Sequence, residues 1–310
     1  MNENLPTPLL SVVMITYQHE RFIKEAIHGV LAQKSEFSVE LIISEDFSPD
    51  NSESIIREII EDYSGPVQIR YIRNPSNLGM MPNFISALNK AKGTYIALCE
   101  GDDYWTDEEK LKIQVEYLEK NQNCAFCFHP AYELHDGLFT IDQLNPGKTE
   151  DFHLEDILLR NYAHTSSIVL RKSALFPLPD FFSSSMPGDH TLQCLLLKNG
   201  AYAHFIDKTM SVYRLHSAGV WSSDAGKKFR YEQALTRIQL NNYLQIKHKK
   251  YINSAFYMLA DLVAMNGYGK PTYQKYRALI RNQYGIRRFL SFNYIFYPLV
   301  YSFFRKKIRR

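Results

Sequence analysis

Apolar positions along the first 120 residues switch repeatedly between two periods. Residues 9–17, 39–43 and 95–99 are short, nearly continuous apolar runs, the pattern of strands buried on both faces, and residues 67–73 read as a further strand. Between them, residues 21–33 place Phe22, Ile23, Ala26, Ile27, Val30 and Leu31 at helical spacing. Residues 52–63 put Ile55, Ile56, Ile59 and Ile60 on one helical face, and residues 83–91 read as a third helix. Repeated strand–helix units predict an α/β fold with a mostly parallel central sheet flanked by helices. Right-handed crossovers then bring the carboxyl ends of the strands to one edge. That edge collects Thr16, Tyr17, Glu45, Asp46, Arg73 and the run Glu100–Asp103 from four separate strand ends.

Beyond residue 121 the alternation fades. Residues 125–134 and 165–170 read as strands, 136–151 as an irregular loop, and 202–213 as two short strands around Asp207-Lys208. Residues 176–187, rich in Pro, Ser and Phe, have the composition of a flap over a binding site. Gly188-Asp189 precedes an apolar helix over 192–197, and helices resume from Phe229. The expected division is a Rossmann-like domain over 1–220 and a helical, basic, aromatic-rich extension over 221–310. No internal repeat or low-complexity segment is visible.

Composition narrows the class. With 45% hydrophobic and 22% charged residues, the chain is that of a folded globular protein. Its four cysteines have no framework spacing, and Cys124-x-x-Cys127 lies in a strand pattern, which reads as core and not as zinc or redox chemistry. The net charge of +3 hides an asymmetry: residues 1–220 carry 18 Lys/Arg against 30 Asp/Glu, a net of −12, and residues 221–310 carry 18 against 3, a net of +15. An acidic body with a basic tail points to an anionic surface for the tail. No basic-then-apolar leader pattern opens the chain, and no uninterrupted apolar run reaches the roughly 18 residues of a spanning helix. The expected location is therefore cytoplasmic.

The chemistry concentrates where the fourth apolar run ends in Glu100, Asp102 and Asp103, three carboxylates in four residues. Such groups repel one another unless a cation sits among them, and oxygen ligands suit Mg²⁺ or Mn²⁺. The same residues would also serve as a solvated acidic turn before a helix, opened by a capping-box spacing of Thr106 and Glu109.

Several motifs in order resemble those of family 2 inverting glycosyltransferases of the bacterial surface-polysaccharide type. They are Ser11-Val-Val-Met-Ile-Thr16-Tyr17, Ile42-Ile-Ser-Glu45-Asp46-Phe-Ser48-x-Asp50, Asn74-Pro-Ser-Asn77-Leu78-Gly79 with Asn83, the block from Gly93 to Asp103, and Gly188-Asp189. The likeness covers roughly residues 9–220 and implies the family's nucleotide-sugar-binding fold. It implies that Thr16 and Tyr17 hold the nucleoside, that Asp46, with Glu45 beside it, reads the base, and that Arg73 meets the diphosphate or base edge. Asn77 and Asn83 would shape and contact the donor site, and Asp103 would orient the site or meet the donor sugar. The family's Asp-x-Asp metal motif appears here as Glu100-x-Asp102, so Asp102 is the expected ligand of Mn²⁺ or Mg²⁺, with Glu100 and His216 completing the shell. In Tyr213-Arg214-Leu-His216-Ser-Ala-Gly-Val-Trp221, Arg214 would grip phosphate. Asp189 matches the family's general base, and His164-Thr165-Ser166-Ser167 would line the sugar pocket. The Gln-x-x-Arg-Trp signature of processive synthases is absent, which points to transfer of a single sugar.

Residues 289–304 are dense in Phe, Tyr, Leu, Ile and Val, interrupted by Asn293 and Pro298 and flanked by basic residues. Short, aromatic and basic at its ends, this stretch suits the headgroup region of an anionic inner leaflet; a helix packed on the catalytic domain is the competing reading. The expected partners are a UDP-linked sugar donor, a saccharide or lipid-linked acceptor and an anionic membrane surface, with no nucleic acid. The competing activity is a metal-dependent nucleotidyltransferase, which would want a Gly-rich basic loop where this chain has Thr16-Tyr17-Gln18-His19-Glu20. A nucleic-acid-binding protein built on the basic tail is the alternative outside enzymes, disfavoured by the acidic body.

Overall fold

The computed structural model describes residues 7–141, 150–217, 219, 229–246, 251 and 254. The chain divides into two compact units, Met1–Ser223 and Asp224–Arg310. In the first, β1 (Leu10–Thr16) and β2 (Val39–Glu45) are buried at every position, as the continuous apolar runs require. β3 (Gln68–Arg73) and β4 (Tyr95–Leu98) flank them, and the four strands run parallel in the order β3-β2-β1-β4. Helices α1 (Ile23–Leu31), α2 (Ser52–Asp62) and α3 (Met80–Lys90) form the crossovers, and α3 packs on β1 and β2.

Register aligns the strand ends. Thr16 pairs with Glu45, and Glu45 with Arg73, so three carboxyl ends stop at one level. β4 stops earlier, since Val13 pairs with Leu98. The chain after it follows β1: Cys99 N–H donates to the Val13 carbonyl at 3.2 Å and Gly101 N–H to the Ile15 carbonyl at 2.9 Å. The acidic run is thereby laid along the end of β1.

The later half departs from the sequence expectation. The eight-stranded sheet continues from β4 through β10 (Val169–Arg171), β6 (Cys124–Phe128) and β11 (Tyr202–Phe205) to β9 (Asp151–Phe152), and β10 is antiparallel to both neighbours. The strand expected over 125–134 is two strands. β6 (Cys124–Phe128) stays in the main sheet, while β7 (Ala131–His135) joins a second sheet of order β5-β12-β7-β8, made with β5 (Tyr104–Trp105), β8 (Leu138–Ile141) and β12 (Ser211–Leu215). Pro130 at the junction has no N–H to continue a ladder. The loop expected over 136–151 contains β8, reached through Asp136-Gly137 with φ of 49° and 80°. An Asp-Gly pair at positive φ is a two-residue hairpin turn. Residues 165–167 form a 3-10 turn, not a strand, because the Ser167 hydroxyl and N–H both donate to the His164 carbonyl, at 2.7 and 3.0 Å.

The capping box is also corrected. α4 (Lys110–Lys120) starts later, and the Glu109 N–H donates to Asp107 Oδ1 at 2.8 Å. Thr106 N–H donates instead to the Met210 carbonyl at 3.0 Å. All four cysteines are buried and free, and burial pushes the Cys127 thiol up to about 12, the behaviour of a core residue. In the second unit, α8 (Arg230–Leu244) is followed by Gln245 at a left-handed φ of 51°. Among the described residues no helix is long and apolar enough to cross a membrane. The aromatic stretch over 289–304 and the basic run after it lie outside the described residues.

Candidate functional site

Two loops at the strand ends are tied together through backbone donors. Gln18 N–H donates to Ser48 Oγ at 3.0 Å, His19 N–H to Ser52 Oγ at 3.1 Å and Glu20 N–H to Asp50 Oδ2 at 3.1 Å. This fixes the turn after β1 that carries Thr16, Tyr17 and His19. Asp46, next to the end of β2, is buried and accepts from Asn74 Nδ2, Leu78 N–H and Gly79 N–H, each at 2.8 Å. Its carboxylate therefore holds the 77–79 loop in place. Asn83 on α3 is similarly engaged: its Oδ1 accepts from Ser44 Oγ at 2.6 Å and Asn74 Nδ2 at 2.9 Å, and its Nδ2 donates to the Ser44 carbonyl at 3.0 Å.

The acidic run meets two histidines. Asp102 Oδ2 lies 3.2 Å from His216 Nε2 and 3.6 Å from His19 Nε2. Burial pushes the Asp102 carboxyl up, and the two histidines more than reverse it, leaving its pKa lowered. Glu100 has no such relief. Burial, then the charges of Asp102, Asp103 and Asp189, raise it well above the carboxylate range. Asp103 points inward, with Oδ1 accepting the Arg214 N–H at 3.0 Å and Oδ2 buried; burial, then Asp102, raises it to about 7. Gly101 is required between them, because a Cβ there would stand 2.7 Å from Thr16 Oγ1.

Oxygen and imidazole donors amid surplus negative charge suit Mn²⁺ or Mg²⁺. Among the described residues, however, no group of three or more His, Cys, Asp or Glu side chains is arranged to hold a metal ion. The expected trio is thus only partly gathered: Asp102 touches His216, and Glu100 acts on Asp102 through charge. The donor types are those a divalent ion takes, but the described side chains alone do not complete a site for one.

One cleft of about 520 Å³ connects these groups. Thr16, Tyr17, His19, Asp46, Asn77 and Asn83 line it from the first three strand ends, and Glu100 and Asp102 from the fourth. Met80, Met81 and Phe84 of α3 supply an apolar wall. The first turn of α7 (Gly188–Leu196) also lines it and brings Asp189 to the cleft. A Cβ on Gly188 would come within 2.4 Å of Met81 Sδ, so α7 packs closely on α3 here and a larger residue would require the Met81 side chain to shift. Tyr213, stacked on His164 with ring centroids 4.4 Å apart, completes the wall. Burial, then the charges of Asp103, Glu100, Asp102 and Asp189, push the Tyr213 phenol up, so it remains a neutral hydrogen-bond donor.

Not every expected residue reaches the cleft. Glu45 is fully buried, accepts the Ser48 N–H and pairs with Arg73 Nε at 3.1 Å. Arg73 also meets Glu53 at 2.7 Å and lies over the Phe47 ring. Neither lines the cleft; they brace the β2 end from outside. Arg214 does line it, but its guanidinium is paired with Glu25 and donates to the Asp102 carbonyl at 2.5 Å. Its positive charge holds the acidic loop. Sequence reasoning missed His19, Asn161 and Tyr213. Asn161 Nδ2 donates to Asp189 Oδ2 at 2.7 Å.

Comparison with known proteins gives one family. The profile described as Glycosyl transferase family 2 matches residues 11–176, just over half of the 310 residues. An uncharacterized protein of Mycobacterium tuberculosis is 38% identical over 215 residues, 69% of this chain and 61% of that protein. The chain thus spans about three fifths of the length of the mycobacterial relatives it matches. TuaG of Bacillus subtilis, named as a teichuronic acid biosynthesis glycosyltransferase, is 27% identical over 221 residues, 70% of this chain and 82% of that protein. The structure of S. aureus TarS 1–349 in complex with UDP-GlcNAc aligns with a TM-score of 0.59 at 15% identity, covering 91% of this chain and 81% of that one. The mannosyltransferase PcManGT from Pyrobaculum calidifontis, in complex with GDP-Man and Mn²⁺, aligns at 0.54 and 13% identity, over 88% and 79%. At these identities the two structures establish a common fold.

Proposed function

This chain belongs to glycosyl transferase family 2, and from that premise we propose that it moves a single sugar, with inversion, from a nucleoside-diphosphate sugar to a hydroxyl of a saccharide or lipid-linked acceptor. The observation that carries the reading is the cleft itself. Three strand ends, the acidic loop and Asp189 at the start of α7 all line it together. An inverting displacement needs one base on the face away from the leaving group, to take the acceptor proton as the new bond forms. Asp189 is that base. Tyr17, 39% exposed, offers a ring face to the nucleobase, and the 77–79 loop, held by Asp46, bounds the ribose side.

A Mn²⁺ or Mg²⁺ ion held through Asp102, with His216 and Glu100 contributing, would offset the charge on the departing nucleoside diphosphate. The donor is proposed as UDP-linked, supported by the UDP-GlcNAc bound to TarS, which shares the fold. Surface polysaccharide synthesis is supported by the likeness to TuaG. The basic aromatic tail extends the proposal to a peripheral site on the inner face of the cell membrane.

A panel of UDP- and GDP-sugars, each with Mn²⁺ and with EDTA, tests the reading through protection against thermal unfolding. At least one UDP-sugar should raise the melting temperature, and EDTA should remove most of the gain. Protection by no sugar nucleotide, or by GDP-sugars alone, would contradict the proposed donor class.

A further inference from the structure

The helix that carries Asp189 is fastened to the segment following α5 (Leu154–Ile157) by three consecutive polar contacts. Asn161 Nδ2 donates to Asp189 Oδ2 at 2.7 Å, His190 Nε2 meets the Ile157 carbonyl at 2.7 Å, and Gln193 Nε2 donates to the Ala163 carbonyl at 3.1 Å. Asp189, His190 and Gln193 share one face of α7 at helical spacing. Two of these contacts place the helix. The first acts on the carboxylate, and the amide that makes it cannot turn over. Asn161 Oδ1 accepts the Ala163 N–H at 3.1 Å, so the amide oxygen is committed to the backbone and the NH₂ group faces Asp189.

We propose that Asn161 is the positioning residue for Asp189, fixing the plane of its carboxylate so that Oδ1 is presented to the acceptor hydroxyl. The inference rests on the reading of Asp189 as the base. The terminal torsion of an aspartate is broad, so a carboxylate facing a cleft has no preferred plane of its own. A charge-assisted hydrogen bond of this length to one oxygen supplies that plane. Among the described residues Oδ1 carries no hydrogen bond, which leaves it to take the proton. Residue type at 161 matters for the same reason. A lysine or arginine would pair with the base as a salt bridge, and an aspartate would repel it; an amide holds it while leaving it charged and basic.

Asn161→Asp separates this role from a purely structural one. It keeps the oxygen that accepts the Ala163 N–H, removes the donor to Asp189 and sets a repelling carboxylate beside it, while Asn161→Ala removes both amide groups and adds no charge. The assay is UDP release from UDP-GlcNAc, or from whichever sugar nucleotide of the panel the wild-type protein turns over, followed with melting temperature and donor KM. Both variants should lower kcat by about tenfold or more, with donor KM and melting temperature near wild type. Combined with Asp189→Asn, Asn161→Asp should cost nothing further, because its effect passes through the carboxylate. A wild-type kcat in Asn161→Asp, or a loss that adds fully to that of Asp189→Asn, overturns the positioning role. Should Asp189→Asn itself keep the wild-type rate, it is the base reading that fails.

Discussion

A half-buried carboxylate in the cleft and a buried ammonium are handled in opposite ways. The histidines beside Asp102 hold its pKa below the usual carboxylate value, whereas Lys110 has no carboxylate partner among the described residues. Its ammonium lies 4.2 Å from the Trp105 ring centroid and donates to Gln114 Oε1 at 2.6 Å. Burial lowers the Lys110 pKa to about 7 from an ordinary 10.5. Between those values the unfolded chain binds more protons than the folded one, so this group makes stability rise with pH across that window and weighs against folding most below it. Lys110→Met removes the penalty. Relative to wild type its melting temperature should therefore be higher at about pH 6 than at about pH 9; a difference that is flat or reversed would contradict the assignment. Asp102→Asn should fold normally yet weaken UDP binding in Mn²⁺ by at least the roughly 10–100-fold that losing a supporting residue costs a metal site. Equal affinity with and without chelator in both proteins would sink it. At this scale the sequence named most cleft residues through motif order. It did not show that Asp46 and Asn83 are already bonded within the protein, that Glu45 and Arg73 pair outside the cleft, or that Asn161 reaches Asp189 across 28 positions. Those facts depend on where loops are held, which no local spacing encodes.

Among the elements, β1, β2 and β4 were legible because burial on both faces leaves a nearly continuous apolar run, whereas β3 is a half-buried edge strand with Gln68, Arg70 and Arg73 among its apolar residues. Where the chain reverses direction the signal fails: β10 is three residues long, and β6 and β7 are separated by only His129-Pro130 while belonging to different sheets. The Asp136-Gly137 turn was a readable hairpin signal, obscured by the polar stretch after it. One polar interruption in the buried strands is informative. Glu40, on β2, is 1% exposed and accepts from Ser11 Oγ at 2.5 Å, Lys92 N–H at 2.7 Å and Arg70 Nη1 at 3.1 Å. It ties β1, β2, β3 and the approach to β4 together at the end away from the cleft. Glu40→Leu leaves the Ser11 hydroxyl and the Lys92 N–H without this acceptor and Arg70 with only the Lys90 carbonyl, and should destabilise the protein by about 3 kcal/mol, read as a lower urea midpoint. A midpoint unchanged from wild type would show that the network adds nothing to stability.

Over the whole molecule, charge separates the two parts of the chain: −12 over residues 1–220 from 18 Lys/Arg and 30 Asp/Glu, and +15 over 221–310 from 18 and 3. The proposed membrane attachment follows from that asymmetry. Truncation after Arg288 removes 22 residues, including five Lys/Arg and the aromatic stretch. Each basic residue near an anionic surface contributes on the order of 1 kcal/mol, so the shortened protein should lose flotation with anionic vesicles and keep nucleotide binding. Vesicle binding that survives truncation, or is equally weak in both forms, would remove the membrane assignment. Family membership decides between the sugar-transfer reading and the nucleotidyltransferase considered beside it. What that reading asserts most specifically is a division of labour in one cleft, with the donor held at the strand ends and the acceptor proton taken by Asp189. The most direct measurement is therefore the Asp189→Asn variant, assayed for UDP-sugar affinity by calorimetry and for turnover at saturating donor. The account predicts unchanged affinity and a rate lower by about 10²–10⁴. Wild-type turnover, or affinity lost together with the rate, would contradict it.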